Sequence, residues 1–315
     1  MGRFVAADSP AMDALAADAI AKIGAEIVAL RVPGLAGVVL GGGYGRGEGG
    51  VLADETGEHL SNDLDFFAVT EAGASAQRLR AVEEALAPTS ADWAGRLGIS
   101  VDFVVRTPWR IRHDQERVMI QELLHGYVDV AGAPGTELFK DVARRPPEAF
   151  PWTEAVRLLV NRGVGLTLAR ESRDGTFVAR NINKCVLGAG DAVLIARHAY
   201  AWRVEDRAVA LGWPAYDAAV EWKFRPRKDA ACEWEAARRL WLSAVEEVRT
   251  TGRRRGEDRR SLYQAARWIV RRRTIGDVRT LGQGAVVRIL AKLVRVVEAR
   301  EPLPGPLRKD WEVFN

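Results

Sequence analysis

The chain has 315 residues, 48% of them apolar, which is enough to build a core, excludes a disordered chain, and points to about two domains. No apolar run reaches the roughly 18 residues of a membrane span, and residues 1–10 lack the apolar stretch of a secretory signal. A cytoplasmic protein with no membrane partner is expected. Residues 1–150 carry 14 Lys and Arg against 22 Asp and Glu, a net −8, whereas residues 151–315 carry 32 against 20, a net +12.

Ser9-Pro10 opens a predicted helix whose apolar stripe is Ala14, Leu15, Ile20, Ile23, Ile27 and Leu30, and Pro33-Gly34 ends it. Leu35 to Leu40 reads as a short buried strand. Gly41 to Gly50 holds seven glycines and reads as a backbone-driven loop, and the polar stretch 51–60 continues it as loop. Asp63 to Val69 is the next strand, Ala74 to Leu86 a helix stopped by Pro88, and Ile99 to Val105 a further strand. Val118 to Leu124 reads as a helix and Tyr127 to Val130 as a short strand. Arg144-Arg145-Pro146-Pro147 is the candidate linker. Beyond it the pattern is helical: Thr153–Glu171, Val178–Arg203, Ala215–Trp222, Asp229–Arg249, Ser261–Arg272 and Gly284–Arg300. The expected fold class is therefore α/β followed by all-α, with a mixed sheet and flanking helices in residues 1–145 and a helical domain in residues 150–315.

The chemistry concentrates in three pieces: V-L-G-G-G-Y-G-R-G-E-G-G, then S-N-D-L-D-F-F-A-V, then V-D-F-V-V. A glycine-dense turn after a strand lets backbone N–H groups converge on an anion, phosphate above all. Asp63 and Asp65 are two apart on a predicted strand, so both carboxylates project from one face. Asp102 lies in a second apolar strand. Three carboxylates meeting beside a phosphate cradle repel one another unless cations neutralise them, and two magnesium ions suit carboxylates plus substrate phosphates.

In this order the pieces resemble the DNA polymerase beta-like nucleotidyltransferase superfamily, whose small bacterial members carry G-S-x-A-x-G-E, then S-D-[IL]-D-[LF], then an aspartate between apolar strand residues. The resemblance covers residues 35–132. It implies a nucleotidyltransferase that moves a nucleoside monophosphate, AMP first, from a nucleoside triphosphate to an acceptor hydroxyl, releasing pyrophosphate. It implies Asp63, Asp65 and Asp102 as catalytic residues and ligands of two Mg2+ ions, and Gly42, Gly43 and Arg46 as nucleotide-binding residues. A looser resemblance in N-K-C-V-L-G-A-G-D-A-V-L adds Lys184, as the cation facing the β- or γ-phosphate, with Asp191 seven residues on to pair with it or contact the acceptor. Gly43 stands where the family has serine, so backbone N–H groups replace a hydroxyl contact. The 19 residues between Gly43 and Asp63 form a longer gap than the family's, and the excess is either a loop or a hairpin extension.

Gly45-x-Gly47-x-x-Gly50 also spells the dinucleotide-binding fingerprint, but no helical periodicity follows the third glycine. No Gly-Lys-Ser/Thr follows the glycines, which excludes a Walker A loop. Glu48 reads as a brace of the loop. His59, His113, His125 and His198 have no metal-ligand spacing, and Cys185 and Cys232 form no C-x-x-C pair. A small hydroxylated molecule is the expected acceptor, ahead of an RNA 3′ end or a protein side chain. The arginine runs at 253–255, 259–260 and 271–273 are either solvated faces or an RNA-binding patch. A non-catalytic module that senses nucleotides or pairs with a toxin is the alternative from another class.

Overall fold

The computed structural model describes residues 2–227, 229–256 and 282–314. The chain divides into two compact units, Met1–Arg145 with Lys223–Arg227, and Pro146–Trp222 with Lys228–Asn315.

The first unit runs α1 (Pro10–Leu30), β1 (Leu35–Leu40), a short turn of helix α2 (Gly42–Gly45), β2 (Gly50–Asp54), β3 (Gly57–Ser61), β4 (Leu64–Thr70), α3 (Ala76–Leu97), β5 (Val101–Arg106), α4 (Pro108–His113), α5 (Val118–His125), β6 (Val128–Gly132) and α6 (Gly135–Leu138). Four strands form one sheet in the order β5-β4-β1-β6, and β2 pairs with β3 in a separate ribbon. β1 is antiparallel to both neighbours, whereas β4 and β5 are parallel and are joined through α3, because a parallel pair needs a crossover. Both sheet faces are covered. Val38, Leu40, Phe66 and Ala68 pack with Ile20 and Ile23 of α1 and Val82 and Leu86 of α3. Val39, Phe67 and Val69 pack on the other face with Ile111, Ile120 and Leu123. The strands consequently read as near-continuous apolar runs rather than as alternation.

Several boundaries differ from the sequence reading. The buried stripe of α1 runs through Ala16, Ala19, Ile20, Ile23, Gly24 and Ile27, while Leu15 and Leu30 are exposed. Small residues face the sheet there because the helix lies close: a Cβ on Gly24 would stand 2.6 Å from the Val130 carbonyl oxygen. Pro88 does not stop α3, which continues to Leu97 and ends on Gly98 in the left-handed region. Pro88 and Glu84, whose carbonyl loses its partner, both lie on the exposed side, and Thr89 and Trp93 carry the buried face onward. Of the two forms expected for 51–60, a loop or a hairpin extension, the structure has the hairpin, with Val51 opposite Leu60 and Asp54 opposite Gly57. The helix α4 went unexpected.

In the second unit α7 (Trp152–Glu171), α8 (Gly175–Arg197), α9 (Val204–Leu211), the greater part of α10 (Pro214–Phe224), α11 (Trp234–Arg255), α12 (Gly282–Ala299) and α13 (Gly305–Phe314) are all helical. Trp241 is fully buried and donates from Nε1 to the Leu159 carbonyl at 2.9 Å, and Gly163 leaves room for its ring. The helix expected over Val178–Arg203 ends earlier, at Arg197, because His198 takes the left-handed conformation and closes α8; the next helix, α9, begins only at Val204. The expected helix Ser261–Arg272 and the runs at 259–260 and 271–273 lie outside the described residues. Among the described residues no helix is long and apolar enough to cross a membrane.

Candidate functional site

β1 delivers the chain to the glycine turn at the end of the sheet where β4 and β5 begin. The Gly41 N–H donates to the Asp65 carbonyl at 2.8 Å, which fixes the turn beside β4. Gly42 has φ +60°, and a Cβ there would stand 2.1 Å from Asp65 Oδ2. Only glycine fits, and the Asp65 carboxylate lies directly against this backbone. The N–H groups of Gly42, Gly43 and Tyr44 open the helical turn α2, so none has a partner inside it.

Asp65 and Asp102 are register partners across the parallel β4–β5 pair. Their Cα atoms are therefore about 4.8 Å apart and both side chains project to one face. The next pair in register, Phe66 and Phe103, stacks with ring centroids 5.1 Å apart on the opposite, core-lining face. Asp65 is half-buried and Asp102 exposed. Asp63 departs from the expectation: it lies before β4, after Asn62 in the left-handed region at φ 74°. The ladder starts one residue later because the Leu64 N–H donates to the Ser100 carbonyl at 2.9 Å. Among the described residues no three His, Cys, Asp or Glu side chains are gathered as a metal cage. Asp65 and Asp102 thus stand in lateral register beside the glycine turn, and paired carboxylates are the oxygen donors that hard divalent cations take.

The glycine loop is braced from four directions. Tyr44 is fully buried, and its hydroxyl donates to the Ser61 carbonyl at 2.7 Å, with the Gly50 carbonyl at 3.3 Å, so it ties the turn to the base of the hairpin. Burial pushes the Tyr44 phenol well above its ordinary range, and the nearby Asp63 charge adds to the shift. Gly49 exchanges backbone hydrogen bonds with Phe4 and Ala6, and that N-terminal segment is held by the Asp13 carboxylate, which accepts from the N–H groups of Arg3, Phe4 and Val5. Arg46 reaches Glu48 at 3.3 Å and Glu122 of α5 at 3.4 Å. Glu48, 6% exposed, also accepts from Lys223 Nζ.

Sequence reasoning found Glu48 as a brace but had no signal for Lys223, 175 residues away. Lys184 lies half-buried on α8 in the second unit. Asp191 accepts from the Tyr216 hydroxyl at 2.6 Å and sits 3.4 Å from Arg207, both on neighbouring helices of that unit. Of the histidines, His59 sits on the hairpin beside Asp54 and Thr56, His113 stacks on Trp109, and His125 and His198 lie against the Arg145 and Glu148 carbonyls. No family model and no curated protein matches the chain.

Proposed function

We propose that the first unit is the catalytic domain of a magnesium-dependent nucleotidyltransferase, which moves a nucleoside monophosphate, AMP first, from a nucleoside triphosphate to an acceptor hydroxyl. The observation that carries this reading is the in-register Asp65–Asp102 pair beside a glycine turn whose backbone lies under the Asp65 carboxylate. Asp65 and Asp102 would hold the magnesium ions; Asp63 is assigned to them by the sequence resemblance alone, since the three carboxylates are not gathered in the described structure. Bound there, the ions supply charge neutralisation for the triphosphate and the carboxylates.

The protein's own groups do the rest. The N–H groups of Gly42 and Gly43 donate to phosphate oxygens and set the triphosphate along the turn. Arg46, set between two carboxylates, holds the loop in shape. Asp102, the exposed member of the pair, accepts the proton of the acceptor hydroxyl. The hydroxyl oxygen forms its bond to the α-phosphorus as the bond from that phosphorus to the bridging oxygen breaks. Pyrophosphate leaves with the bonding electrons. A small hydroxylated molecule is the proposed acceptor. The net +12 of residues 151–315 favours an RNA 3′ end as the second reading.

The test supplies the purified protein with magnesium and each of four α-labelled triphosphates, together with small-molecule, RNA and protein acceptors. Label should pass to one acceptor class with release of pyrophosphate, and Asp65→Asn should abolish transfer. Triphosphate binding with no transfer to any acceptor would instead favour a non-catalytic nucleotide-sensing module.

A further inference from the structure

The chain returns to the first unit for five residues, Lys223–Arg227, long after that unit's own sequence has ended at Arg145. Lys223 makes two kinds of contact there. Its ammonium pairs with Glu48 in the glycine loop, with the lysine side chain 20% and the glutamate 8% exposed. Its backbone carbonyl accepts from Asn62 Nδ2 at 3.4 Å. Asn62 is the left-handed residue directly before Asp63. Gly50, where loop meets hairpin, is closed in by the same two groups: a Cβ there would stand 2.6 Å from the Lys223 carbonyl oxygen and 2.8 Å from Asn62 Nδ2. One residue thus holds both the glycine loop and the corner that sets Asp63.

We propose that Lys223 is a positioning residue for the nucleotide site, acting through Glu48 on the glycine loop and through Asn62 on Asp63. The proposal rests on the nucleotidyltransferase reading for its consequence, though not for its geometry. A chain of alternating charge, Glu122–Arg46–Glu48–Lys223, runs through a poorly solvated region. A carboxylate as buried as Glu48 keeps its charge where paired cations face it, and removing one leaves it under-compensated. The loop would then shift to bring Glu48 toward water and take the Gly42 and Gly43 N–H groups with it. Lys223 acts through Glu48 and Asn62 and not on phosphate itself, so its effect falls on binding before turnover.

The experiment uses the full chain and two readouts. The first is affinity for magnesium with the α,β-methylene analogue of ATP, measured by calorimetry. The second is amide hydrogen exchange, which needs no ligand. Lys223→Met should weaken the analogue about tenfold and raise KM for the triphosphate more than it lowers kcat. It should speed exchange in Gly41–Gly50 and at Asn62 and Asp63 while leaving β4 and β5 protected. Lys223→Arg, which keeps the charge, should stay within about threefold of the wild type. Glu48→Gln should match Lys223→Met, and the double variant should lose little more than either single one. If Lys223→Met folds poorly, Lys223→Gln carries the same comparison. Unchanged exchange in both segments would overturn the proposal. If exchange responds as stated while the wild type binds no analogue, the positioning role stands and the nucleotidyltransferase reading falls.

Discussion

At Gly42 two constraints coincide, a backbone at φ +60° and a carboxylate oxygen 2.1 Å from where a side chain would begin. Gly42→Ala should therefore destabilise the fold by about 1–3 kcal/mol in urea titrations and displace Asp65. Tyr44→Phe removes the hydroxyl that reaches the Ser61 carbonyl and should cost about 1 kcal/mol. It should also change the alkaline limb of the stability curve. The Tyr44 phenol is raised from 10.0 by burial, so above pH 10 the unfolded chain releases a proton that the folded chain keeps. That contribution is intact below pH 10 and is lost as the pH rises further. Denaturation at pH 9 and pH 11 should show a smaller loss for Tyr44→Phe than for the wild type. The Asp-x-Asp pattern was legible in the sequence, and so was the partnership of Asp65 with a later strand aspartate. The position of Asp63 was not, because a hydrogen bond from Leu64 to Ser100 decides where the ladder starts. Nor was Lys223, since no local pattern links it to a loop 175 residues earlier.

Among the elements, α3 shows why a proline is a weak stop signal when its exposed side can lose a hydrogen bond to water. Val82, Leu86, Thr89 and Trp93 keep one buried face through Pro88, and Trp93 Nε1 donates to Glu26 of α1 at 2.9 Å. Pro88→Ala restores the missing donor and should raise stability by about 1–3 kcal/mol in urea denaturation, with transition width unchanged. The β2–β3 hairpin escaped a reading by hydrophobicity because Val51 and Leu60 are its only large buried pair. Its turn was legible in other terms. Asp54 accepts from both the N–H and the hydroxyl of Thr56, and Gly57 follows at φ 127°. The strand Leu35–Leu40 was read to the residue, since a short apolar run between Pro33-Gly34 and the glycines leaves no room for a helix.

For the whole molecule, the change from acidic to basic composition lies near the boundary between the units, and the first unit's excess of carboxylates accompanies the proposed cation site. If the basic residues serve RNA, affinity for a single-stranded RNA should fall steeply between 50 and 200 mM salt, by about 10³ or more for six phosphate contacts. A small-molecule acceptor predicts weak RNA binding under both conditions, and filter binding separates the two. The pairing of an α/β unit with a helical one was visible from periodicity and from the Arg145-Pro146 punctuation. The return of Lys223–Arg227 to the first unit was not, because it is a property of the folded chain alone.

The central claim is that Asp65 and Asp102 act together, beside the glycine turn, on a divalent cation and a triphosphate. Electron paramagnetic resonance of Mn2+ in the presence of a non-hydrolysable triphosphate addresses it directly. The wild type should bind the manganese–nucleotide complex, while Asp65→Asn and Asp102→Asn should each lose it and keep their melting cooperativity. Wild-type manganese binding in both variants would contradict the claim.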